Sequence, residues 1–281
     1  MRCLLLLGVL VSIPPGTIIA QATSTVDARI DQIIRSVSAE RMEADIRTLV
    51  GFGTRHTLSD TLSDIRGIGA ARRWVKREFE VISAACGGCL EVSYVGEAFP
   101  AGSRRLRPDA ETNIVNVVAV QRGTADPNRV VIMSGDIDSR ISDGMNATDS
   151  APGANDNASG LAGTLEAARV LSRMRFQGSI VYAALSGEEQ GLYGGRTVAR
   201  YAEERGWDVV GVLNNDMIGN IEGVNGTVDN TTARVFSDGT PPTETDAERQ
   251  RRRFTGGEVD GVSRQLARYV DRIADRYFPT L

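Results

Sequence analysis

Apolar residues recur at helical spacing through "GIGAARRWVKREFEVISAA", where Ala71, Trp74, Val75, Phe79 and Ile82 share a side. That spacing predicts an amphipathic helix. Residues 23 to 50 carry two more helical patterns, the second with Ile46, Leu49 and Val50 on one side. The stretches "EVSYV", "NIVNVVAV" and "RVVIMS" alternate or run apolar with β-branched residues and predict strands. From Asp156 the pattern turns helical again, with Leu161, Leu165, Ala168 and Leu171 on one face. "SIVYAALS" predicts a buried strand, "GLYGGRTVARYAEE" a helix, and "VVGVLNNDMIG" a strand that ends in an acid. Residues 221 to 257 are polar, and "AERQRRRF" within them reads as a solvated helical face; a last helix is expected from about Ser263 to Tyr277. Strands alternating with helices imply an α/β chain, a mixed and mostly parallel sheet between helical layers. No repeat or linker divides residues 23 to 281, which are expected to form a single domain.

The apolar run "VVIMSGDIDSR" breaks at a glycine into Asp136 and Asp138. Two carboxylates at the rim of a core need compensation, because unpaired charge is not left in low dielectric. The same ending recurs: "SIVYAALS" runs into Glu188 and Glu189, and "VVGVLNND" into Asp216. Ligand sites of open α/β sheets lie at the carboxyl ends of strands, so these acids are expected to converge. "PGANDNASG" adds Asp156 at the mouth of a helix. Each piece also has a plain structural reading. Asp156 alone would be a helix cap, the Glu188–Glu189 pair first-turn charge, and "NNDMIG" a turn. The single histidine, His56, reads as a structural or surface residue rather than a ligand. The joint arrangement is what points to a cation.

Composition narrows the class. The chain of 281 residues is 41% hydrophobic and 24% charged, as globular proteins are, and its net charge of -4 offers nothing to nucleic acid. Residues 1 to 22, with one Arg, an apolar run and Ala20-Gln21-Ala22, predict a secretory signal and a secreted or periplasmic product with no membrane attachment after cleavage. In an exported protein "CGGC" predicts a local disulfide between Cys86 and Cys89 rather than redox or metal chemistry.

"GDIDSR", "PGANDNASG", "SGEEQGLYGG" and "LNNDMIGN", in that order, resemble the signature of metallopeptidase family twenty-eight, and the similarity runs from about Asp45 to the end. The family holds secreted bacterial leucyl aminopeptidases and, on the same fold, glutaminyl cyclases. The resemblance implies a three-layer α/β/α domain with two co-catalytic zinc ions, acting on peptides with a free N-terminus. By matching positions, Asp156 would bridge the metals, Glu189 and Asp216 would each bind one, and Glu188 would be the general base. Asp138 would orient the ligand two residues before it. Two departures stand out. The family has histidine where this chain has Asp136, and no late histidine motif follows Asp216, so a C-terminal segment is expected to be missing. Asp136 can still offer oxygen, but an all-oxygen site favours Mn, Mg or Ca over zinc. The expectation is an exported metal-dependent aminopeptidase. The alternative is an impaired or inactive relative that binds peptide or metal, and a glutaminyl-cyclase-type acyltransferase is a third reading.

Overall fold

The computed structural model describes residues 26–240, 243–255 and 261–278; the expected leader lies outside them. Three helices come first: α1 (Ala28–Arg35), α2 (Ala39–Gly51) and α3 (Gly67–Ala85). Side chains start two of them, Asp27 accepting from the N–H of Arg29 and Ser38 from that of Arg41. Such caps satisfy donors that the first helical turn cannot. Three strands follow, β1 (Leu90–Phe99), β2 (Thr112–Gln121) and β3 (Asp126–Asp136). An irregular turn over residues 154–159, with non-helical backbone at Asp156 and Asn157, leads into α4 (Gly160–Leu171), then β4 (Gly178–Leu185), α5 (Tyr193–Glu204) and β5 (Asp208–Asn214). Helices α6 (Asp246–Thr255) and α7 (Val262–Tyr277) close the described chain.

The five strands lie in the order β1-β2-β4-β3-β5. Strand β2 runs against both its neighbours, whereas β3 pairs in parallel with β4 and β5. The sheet is therefore mixed, and only β2 is reversed. Period-two alternation divides its side chains between two cores. Val117, Ala119, Tyr182 and Ala184 pack with Leu49 of α2, Phe79 of α3 and Leu161 and Leu165 of α4. Val118, Val120, Val181 and Ala183 pack with Val198 of α5 on the opposite face. Helices on both faces make the expected three layers.

The β5 side is thinly covered, Leu266 of α7 lying 3.3 Å from where a Cβ on Gly211 would be. Val209, Val210, Val212 and Leu213 are exposed, and α6 and α7 bury no residue. Val212 of β5, Ile132 of β3, Val198 of α5 and Trp207 between α5 and β5 line an open apolar groove of about 410 Å³. Cys86 and Cys89, at the turn from α3 to β1, are joined in a disulfide. Among the described residues no helix is long and apolar enough to cross a membrane.

Candidate active site

Because β4, β3 and β5 are parallel neighbours, their carboxyl ends open on one edge of the sheet. Asp136 ends β3, the Glu188–Glu189 turn follows β4, and Asp216 follows β5. The turn carrying Asp156 enters α4 beside them. Gly135 and Gly160 permit that approach: a Cβ on Gly135 would lie 2.6 Å from the carbonyl carbon of Gly160, and one on Gly160 only 2.1 Å from the oxygen of Asn215.

Asp138 is 1% exposed and fully engaged. It accepts the hydroxyl of Thr57 at 3.0 Å and the backbone N–H groups of Glu188 and Glu189 at 3.3 and 3.2 Å. Burial pushes its pKa up, and those hydrogen bonds oppose the shift. Two buried arginines add positive field: Arg55 and Arg72 both act on Asp138. Arg55 donates to the carbonyls of Ile137 (2.7 Å), Leu49 (3.0 Å), Pro152 (2.7 Å) and Gly153 (2.9 Å). It thereby stitches α2 and the end of β3 to the turn that carries Asp156.

The remaining acids lie close enough to repel one another. Burial, then the charge of Asp138, raises Asp136 to about 8. Burial raises Glu188 to about 7, with Asp138, Glu189, Asp216 and Asp156 adding to it. Burial also raises Glu189 against the pull of Arg140, and Asp216 is raised by burial and by Asp156. All six acids singled out in the sequence thus meet at one edge.

They do not close around a point. Among the described residues no three His, Cys, Asp or Glu are arranged to hold a metal ion. Protein donors take two of the expected ligands. An oxygen of Asp136 accepts the side-chain amide of Asn157 at 2.9 Å, and Nε of Arg140 pairs with Glu189. With no imidazole in the donor set, these residues do not fit the pair of zinc ions that the resemblance implies.

Several contributors went unread in the sequence. Asn157 is 1% exposed and bridges three elements. Beyond Asp136, it donates to the carbonyl of Asn215 and accepts the N–H groups of Gly160 and Met217. His56 is fully buried and structural. Its Nδ1 accepts the N–H of Leu58, leaving Nε2 to donate to the carbonyl of Gly144 at 3.1 Å. The amide of Gln190 lies 3.2 Å from the same Nε2, and its oxygen has no hydrogen-bond partner among the described residues. Turning that amide brings the oxygen to the ring N–H. Arg55, His56 and Thr57 sit side by side in "GTRHT", and Arg140 stands two residues after Asp138. Of these only His56 was read in the sequence, as structural or surface; of the others only their basic or polar character was visible.

Comparison with known proteins bears on the family and the fold. Residues 116–250 match the family described as Peptidase family M28. A probable zinc metalloprotease of Pyricularia oryzae is 41% identical over 268 residues, 94% of this chain and 53% of that protein. One from Leptosphaeria maculans is 41% identical over 248 residues, 88% of this chain and 57% of that protein. The chain spans about half the length of such relatives. Among solved structures, LapB from Legionella pneumophila superposes with a TM-score of 0.56 at 21% identity, covering 71% of this chain and 48% of that one. Porphyromonas gingivalis glutaminyl cyclase gives 0.50 at 20% identity, over 65% and 62%. At these identities the structures share the fold.

Proposed function

The chain belongs to peptidase family M28, and on that premise we propose that it serves as an exported exopeptidase. It would hydrolyse the peptide bond next to a free N-terminus, with Glu188 as the general base. One observation carries the reading: the buried Asp138 holds the backbone of the Glu188–Glu189 turn. A general base must be fixed within reach of the proton it takes. Glu188 is half-buried, anchored by its main chain, with a carboxylate free of hydrogen-bond partners in the described residues.

Within this proposal Asp156, Glu189, Asp216 and Asp136 are the cation-facing carboxylates, and Asp138 is the positioning acid behind them. The zinc in the relatives' names extends to this chain as metal dependence of unspecified number. Carboxylate oxygens alone suit manganese or magnesium better than zinc. Because a zinc pair does not fit, no hydrolytic step is assigned to one. The leader-like residues 1 to 22 support export.

A second reading has its own support. Arg140 on Glu189 and Asn157 on Asp136 engage two expected ligands, which favours a domain that binds peptide without cleaving it. Leucine-anilide hydrolysis by the purified chain with manganese supplied, beside Glu188→Gln, separates the two. Turnover lost in the variant supports the peptidase. Retained peptide binding with no turnover supports the second reading.

A further inference from the structure

We infer that Arg140 is the internal cation of the acid centre, bound to Glu189 in competition with any divalent ion for that carboxylate. The pair is asymmetric: the Glu189 side chain is 9% exposed and the Arg140 side chain 44%. The carboxylate is thus fixed inside while the guanidinium reaches in from solvent. Glu189 is held at both ends, its backbone N–H on Asp138 and its side chain on Arg140. Since Arg140 stands two residues beyond Asp138, a closed ring of short chain and hydrogen bonds sets the guanidinium over the centre. Its charge also acts on Asp156 and Glu188.

Among the described residues no other arginine forms an ion pair with one of these acids. Arg55 spends its donors on four backbone carbonyls, and Arg72 donates to Ser186 from a buried position. Arginine suits the role because its planar fork matches a carboxylate and its charge is permanent. Beside the missing imidazoles, this ion pair gives the misfit to a zinc pair a second cause. A metal reaches Glu189 only in molecules whose Arg140 has swung away, and its apparent affinity falls by that fraction.

The test reads metal binding, not turnover, so it stands or falls apart from the hydrolytic reading. Manganese is titrated calorimetrically into the whole mature chain, into Arg140→Ala and into Arg140→Lys. The alanine variant should bind about tenfold tighter than the parent, with lysine between them. In chelator it should also melt below the parent, and manganese should restore it. Lysine keeps a cation over the acids, so one variant holds its fold even if alanine does not. Affinities within about twofold across all three proteins, with unchanged melting in chelator, would overturn the inference.

Discussion

Asp138 accepts the backbone N–H of Glu189 at 3.2 Å, and through its other oxygen that of Glu188 at 3.3 Å. A buried acid from the end of one strand thereby fixes the turn after the neighbouring strand. Removing the acid leaves those N–H groups, the Thr57 hydroxyl and the charges of Arg55 and Arg72 without their partner. Asp138→Ala should cost about 3 kcal/mol, as broken buried charge contacts do. Urea denaturation of the metal-free protein measures it, and a loss under about 1 kcal/mol would count against the anchoring role.

Arg55→Lys should be nearly as damaging as a neutral substitution. Lysine cannot span the carbonyls of Ile137, Leu49, Pro152 and Gly153 with one ammonium group. Orphaned buried acceptors cost about 1–3 kcal/mol each. The variant should show a lower urea midpoint and faster amide exchange around residues 151–159. Exchange unchanged there would mean that Arg55 does not hold the Asp156 turn.

Away from the site, Asp45 on α2 gives a pH signature. Burial raises it to about 6, with Glu78 and Glu166 adding to the shift and Arg41 opposing it. A carboxyl raised above its ordinary value near 3.8 holds its proton longer when folded than when unfolded. The folded state then binds more protons between those values, so stability falls as pH rises from about 4 to about 6. Its contribution is fully present below the unfolded value. Asp45→Asn should flatten this part of the melting-temperature profile. An identical slope in both proteins would rule Asp45 out as its source.

The disulfide closes only a short loop, so its removal should be mild. Cys86→Ser should cost about 2 kcal/mol by loop entropy and leave the acid edge intact. Thiol titration of the purified protein should find Cys86 and Cys89 both oxidised, and free thiols would contradict the bond.

Periodicity carried much of the fold into view. The helical stripe of Ala71, Val75, Phe79 and Ile82 became the buried face of α3, and the alternation in "NIVNVVAV" divided β2 between two cores. Strand order could not be read, because the β1-β2-β4-β3-β5 arrangement depends on pairings between distant segments. It is this order that sets three acid-ending strands side by side. The acids themselves stood out because carboxylates are costly after apolar runs. Their partners did not. Arg55, Asn157 and Arg140 look like ordinary polar residues until folding places carbonyls or carboxylates against them. The exposed β5 and α7 show the converse limit, since an amphipathic pattern predicts a face and not what covers it.

The central claim is that these acids form one hydrolytic centre with Glu188 as its base. Leucine-anilide turnover by the mature chain and by Glu188→Gln, with manganese supplied and matched circular dichroism, tests it most directly. The account predicts measurable turnover in the parent and at least about a hundredfold less in the variant, the scale of a general base. Equal rates in the two proteins, or no turnover by the parent, would contradict it.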